Sequence, residues 1–186
     1  MSDLIIREDP SLYPVPEEGL HAAVLVDAVD LGKLESPWGT KHKISLIFEL
    51  ETTDDEGRRY IVGKRFTRSL NEKSSLRKFL EKWRGNKKYT PDELQQGVDL
   101  ESLVGLNATL FIVHNETEER TYANIESILP YKNKNGEVVL YDLLYSGDYI
   151  RVKDREGYKE PAEFAESVNG RGCEVKKRRL VASLFF

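Results

Sequence analysis

A change of hydrophobic period partway along the chain limits the folds open to it more than any other feature. Three stretches alternate with a period of two, the spacing of strands. In the first, Leu20, Ala22, Val24, Val26 and Ala28 alternate with His21, Ala23, Leu25 and Asp27, apolar on both sides as a central strand requires. The second sets Ile44, Leu46, Phe48 and Leu50 against Lys43, Ser45, Ile47 and Glu49, and residues 60–68 form the third. Then Leu76, Phe79, Leu80 and Trp83 fall at i, i+3, i+4 and i+7, one stripe of a helix that assigns Trp83 to the core. Period two returns over 107–114 and 121–129, joined by a polar turn.

Turn residues punctuate this order. Gly32 and Ser36-Pro37-Trp38-Gly39 predict a long first loop, and Asp54-Asp55-Glu56-Gly57 a hairpin turn. Ser69 with Glu72 predicts the helix cap and Gly85 its end; Thr90-Pro91-Asp92-Glu93 predicts a second, short helix, with another turn over 99–105. Three strands, a helical insertion and two strands predict a mainly β fold. The layout is that of a five-stranded oligonucleotide-binding (OB) barrel with a helical insertion between strands 3 and 4. Closure also removes the free edges of five strands. An open α+β sheet with a helix on one face is the competing reading. The domain limits follow: a proline-punctuated extended arm over 1–18, the OB domain over 19–131, and a C-terminal extension over 132–186 that is expected to be partly flexible. Within it, 138–144 carries a weak strand signal and 162–168 a helical one.

Charge adds function to form. Between Arg58 and Lys88 stand twelve basic residues against two acids, a net +10 inside a chain of net −4, so the remainder sums to −14. Aromatic residues interleave with these cations, the pattern of a protein that grips a polyanion while stacking its bases. On the third strand Tyr60, Lys64, Phe66 and Arg68 share one face and Arg59 and Arg65 lie on the other; which face is outward stays open. Gly63 between them admits a close backbone or ligand. The first loop offers Trp38 beside Lys41 and Lys43, either as a stacking platform or as a plug over the barrel end. Arg77 and Lys78, with Lys82 and Arg84, lie off the apolar stripe of the helix, and Tyr122 and Asn124 are further candidates for the groove floor.

Other chemistry is weakly represented. His21, His42 and His114 have no metal-ligand spacing, and Asp54-Asp55-Glu56 reads better as a turn than as a cation site. Phosphate-loop and nucleophile-elbow patterns are lacking, so the expectation is a protein that is not an enzyme and needs no cofactor. One cysteine, Cys173, leaves no internal disulfide. No leader and no apolar run of about 20 residues appear, which predicts a soluble cytoplasmic protein without membrane contact.

Glu18-Gly19-Leu20-His21-Ala22, Pro37-Trp38-Gly39-Thr40-Lys41-His42-Lys43, Lys64-Arg65-Phe66-Thr67, Ser74-Ser75-Leu76-Arg77 with Trp83-Arg84-Gly85, and Tyr122-Ala123-Asn124-Ile125 together give the chain a resemblance. Over residues 18–130 it resembles a family of phage and prophage OB-fold single-stranded-DNA-binding proteins. The resemblance implies coating of single strands during phage replication and recombination, in the host cytoplasm and without a cofactor. Many such proteins end in an acidic tail capped by phenylalanine that recruits partners. Leu184-Phe185-Phe186 matches that cap, but basic Lys176-Lys177-Arg178-Arg179 precedes it. The alternative is an OB-fold interaction module that docks a replication or recombination protein without touching DNA. DNA against RNA, oligomeric state and site size stay open.

Overall fold

The computed structural model describes residues 14–161, apart from 38 and 119. Among these residues, five strands form one antiparallel sheet: β1 (Gly19–Leu34), β2 (Lys41–Thr53), β3 (Arg59–Thr67), β4 (Asn107–Glu116) and β5 (Thr121–Pro130). Their order is β3-β2-β1-β4-β5. Helix α1 (Ser75–Trp83), helix α2 (Pro91–Gln96) and a 3-10 turn (Glu101–Leu103) occupy the connection between β3 and β4. The chain is therefore mainly β, with the helical insertion at the expected place. No backbone pairing joins β3 to β5 among the described residues, so the sheet is open along that seam.

β1 is longer than its alternation predicts because it serves two neighbours. Residues Gly19 to Val24 pair with β4, and Ala23 to Leu34 pair with β2. Register shifts between Leu25 and Asp27 and between Asp30 and Gly32 bend the strand, as extra residues in a ladder do. Gly32, expected to open a loop, makes the second shift instead. Its φ of 68° suits glycine, and its N–H donates to Asp30 Oδ1 at 2.7 Å. The β1–β2 hairpin thus runs on to Leu34 and Lys41.

The helix stripe does what its spacing predicts. Leu76, Phe79, Leu80 and Trp83 are all buried, and Trp83 meets the Phe48 ring edge-on at 5.7 Å. Ser74, not Ser69, caps α1, accepting from the Arg77 N–H, because the chain from Ser69 to Ser74 is turned first. Thr90 and Glu93 form the expected reciprocal capping box on α2. Asp54 accepts from the N–H groups of Glu56 and Arg58, both at 2.9 Å, so its carboxylate is used by the hairpin turn.

Residues 132–161 depart from the expectation of a loosely held extension. They form a strap with little regular structure, a single bridge from Lys132 to Val138 standing where a strand was expected. Three buried polar side chains of the sheet hold it. Asn107, fully buried, accepts at Oδ1 from the N–H groups of Asp142 (2.5 Å) and Leu143 (2.8 Å) and donates to the Leu143 carbonyl (2.7 Å). Glu49 accepts from the Ser146 N–H (2.7 Å) and hydroxyl (3.0 Å). Asp27 accepts from Tyr149 Oη, Arg151 Nε and the Val152 N–H. A buried polar group without partners costs free energy, so each of these residues selects the strap that satisfies it.

Arg151 also grips Glu101 through two 2.7 Å bonds, and Lys153 adds a third. The Arg151 hydrogen bond is the chief reason the Glu101 carboxyl titrates at about 2. A carboxyl whose folded pKa is depressed stabilises the fold fully above its ordinary range and loses that contribution as pH falls toward the folded value. Backbone amides of the strap are therefore expected to lose hydrogen-exchange protection between pH about 4.5 and about 2. Strap protection unchanged to pH 2, with the sheet intact, would contradict this.

Candidate nucleic-acid interface

The inward face of β3 is the one that carries Val62 and Phe66, both buried. Phe66 lies 4.9 Å from the Phe79 ring and belongs to the core, so it is not available to stack a base. Tyr60 is half-buried against the same core. The amine of Lys64 turns across the seam and donates to the Ile125 carbonyl of β5. Burial there holds its pKa below the usual lysine range. The outward face carries Arg59, Ile61, Gly63, Arg65 and Thr67.

Most arginines of the basic stretch are spent locally. Arg59 bonds Glu49 at 3.0 Å and the Leu144 carbonyl at 2.6 Å. Arg58 pairs with Asp54 and Glu56, and Arg68 with Asp30 at 3.4 Å. Arg77 holds Glu81 one helical turn on, at 2.8 Å, and both are largely covered. Arg84, expected outside the stripe, is 4% exposed, pairs with Glu93 at 2.6 Å and lies 4.3 Å over the Tyr89 ring. Of the predicted contacts, then, Arg59, Arg68 and Arg77 are engaged by carboxylates. Lys41 and Lys78 are exposed, the Lys43 amine donates to Thr67 Oγ1 at 2.8 Å, and Arg65 is exposed without an ion pair among the described residues. Trp38 lies outside the described residues.

What the fold does bring together is a trough along the seam between β3 and β5. Two adjoining clefts share Gly63, Tyr122 and Ala123. One end presents Lys64, Arg65, Asn124 and Glu126. The other is walled by Arg120 and Tyr122 on one side and by Tyr149 and Arg155 of the strap on the other. The Arg120 guanidinium sits 4.5 Å over the Tyr122 ring, and that of Arg155 5.5 Å over Tyr149. Gly63 keeps the floor low: a Cβ there would come within 3.0 Å of Ile47 Cδ1. Ile61 and Tyr122 present partly exposed apolar surface to the trough.

Tyr122 and Asn124 were legible as groove candidates from β5. Arg120, Tyr149 and Arg155 were not. For Tyr149 and the strap that carries it the signal was indirect: Asp27 in an apolar strand and Glu49 opposite a core face both require polar partners from elsewhere in the chain. Among the described residues no cluster of three or more acidic, histidine or cysteine side chains is arranged to hold a metal ion. Comparison of the chain with protein-family models and with curated proteins finds no match to either.

Proposed function

We propose that the chain is a non-catalytic single-stranded DNA-binding protein built on an OB-type barrel, with the strand lying in the β3–β5 trough. The barrel reading is supported by the strand order, by the insertion between β3 and β4, and by Lys64 bridging the seam where a closed barrel would pair its strands. The function rests on one observation. Exposed cations and a ring, Arg65, Arg120, Arg155 and Tyr122, line a single trough whose floor is a glycine. Flat rings give unstacked bases a sequence-tolerant partner, and cations beside them neutralise phosphates.

Oligothymidylate titrations followed by mobility shift test the reading. With three phosphates met by Arg65, Arg120 and Arg155, the log–log salt slope is expected near −2, or about 20-fold weaker binding for a fourfold rise in salt. Tyr122→Ala is expected to weaken binding by about 1–3 kcal/mol. Equal affinity for duplex and single strands, or a flat salt response, refutes the reading. Coating of strands during phage replication and recombination belongs to the same proposal.

A second reading, an interaction module for a replication or recombination protein, draws on the strap, where Tyr141, Leu144, Tyr145 and Ile150 are each more than half exposed. A protein partner recovered after nuclease treatment, together with absent oligothymidylate binding, favours it.

A further inference from the structure

The N-terminal arm meets the body of the protein at the trough. Pro14 and Val15 line the cleft between β3 and β5, beside Ile61 and Tyr122. Three bonds fix the segment that follows them. His114 Nε2 donates to the Pro16 carbonyl at 2.8 Å, the His114 backbone N–H to Glu18 Oε1 at 2.6 Å, and His21 Nε2 to the Glu17 carbonyl at 2.8 Å. Residues 1–13 are therefore joined to the body at the cleft wall. The same cleft carries apolar surface that nothing covers among the described residues: Ile61 is 44% exposed, Tyr122 38% and Ile150 61%. Neither β3 nor β5 has a backbone partner on its seam side among those residues. Unpaired strand edges of this kind are a template for a further extended chain.

We infer that residues 1–13, which lie outside the described residues, dock in this trough and compete there with a nucleic-acid strand. Their chemistry suits both of its halves. Leu4-Ile5-Ile6 is an apolar run for the surface of Ile61, Tyr122 and Ile150, and Asp3, Glu8 and Asp9 against Arg7 give the segment a net −2. Among the described residues, six basic and four acidic side chains line the two clefts, a net +2 within a chain of net −4. An acidic segment is thus favoured at the seam over the acidic remainder of the chain. Reach is sufficient: Ile5 stands nine residues before Pro14. Nine extended residues span about 30 Å, close to the length of a strand like β5. A segment tethered this closely acts at a local concentration on the order of 1 mM, so a contact of roughly 0.25 mM affinity weakens strand binding about fivefold. The competition rests on the strand-binding reading; the docking does not.

The test keeps the full chain. A nitroxide on Ser2→Cys, in a Cys173→Ser background, is expected to broaden the amide signals of Ile61, Gly63 and Tyr122. Leu4→Ser with Ile5→Ser changes no charge; it should lift that broadening and tighten oligothymidylate binding about fivefold. Excess oligothymidylate should lift the broadening in the parent. Circular dichroism melting confirms that each variant folds as the parent does. If the oligonucleotide binds but the trough amides are not broadened, the docking is refuted and the strand-binding reading stands. If the trough amides are broadened but the oligonucleotide fails to bind, the docking stands and the competition falls with the strand-binding reading. Broadening confined to the exposed Leu20–Phe111 pair on the outer face of the sheet refutes the trough as the docking site. Equal broadening of an unlabelled chain mixed with the labelled one overturns the inference in favour of a second copy as the source of the segment. Weaker binding by the Leu4 and Ile5 variant refutes competition, since the segment then helps to hold the strand.

Discussion

Replacing Trp83 with alanine is expected to remove about 3–5 kcal/mol of stability, enough to leave a domain of this size largely unfolded under mild denaturant. Trp83 is the bulkiest of the fully buried side chains and closes the interior between α1 and the sheet, edge-on to Phe48. Its indole N–H donates to the Asn107 carbonyl at 2.9 Å. Asn107 is the residue whose amide side chain holds the strap at Asp142 and Leu143, so the indole links the insertion, β4 and the strap through one backbone position. Urea unfolding followed by far-ultraviolet circular dichroism measures the loss. Trp83→Phe separates its components: the ring volume is mostly kept and the donor is lost, for which about 1–2 kcal/mol is expected. An alanine variant within 1 kcal/mol of the parent would show that α1 is an appendage to the sheet and not its lid.

How much of this was visible in the amino-acid order depends on whether a residue's role is set by its neighbours in sequence. The five strands were legible because period-two alternation is local, and the α1 stripe because four apolar residues at helical spacing leave few alternatives. The α2 cap was legible for the same reason: Thr90 and Glu93 answer each other three residues apart. The bulges of β1 were not. A glycine with φ of 68° is compatible with a loop or with a register shift, and only pairing with β2 decides which. The strap was missed because its order comes almost wholly from partners about 35 to 125 residues away in sequence, such as Asn107 with Leu143 and Asp27 with Val152.

The charge pattern misled in an instructive way. A count of cations treats each as available, whereas a fold uses arginine first where a planar fork can satisfy a carboxylate. Arg77 with Glu81 and Arg84 with Glu93 are such uses, and in the second the arginine is buried while Glu93 keeps an exposed side. The lysines of the same stretch are less absorbed; Lys73 and Lys78 remain exposed on and beside α1. The trough thus takes Lys64 and Arg65 from the stretch at one end, and at the other adds two arginines from outside it, Arg120 and Arg155. Its location was legible in part, from Gly63 on β3 and Tyr122 on β5. Its far wall was not.

Arg59 is where the two kinds of arginine are most easily confused, and its replacement discriminates between them. Arg59→Ala is expected to destabilise the fold by about 3 kcal/mol, the lower end of what breaking a buried pair costs, because it leaves Glu49 ionised and buried. Glu49 is 1% exposed and would retain only the Ser146 N–H and hydroxyl as donors. Those two bonds are the reason for the lower end. The same change frees the Leu144 carbonyl, so the strap should loosen along with the pair. Adding Glu49→Gln to Arg59→Ala should recover part of the loss, since a neutral amide is far less costly to bury than an unpaired carboxylate. Arg65→Ala, by contrast, should shift stability by no more than about 0.5 kcal/mol while weakening oligothymidylate binding and flattening the salt slope by about 0.7. The opposite pattern, a stable Arg59→Ala with a flattened salt slope and a silent Arg65→Ala, would mean that Arg59 swings away from Glu49 to meet phosphate, and that the trough is entered from the strap side.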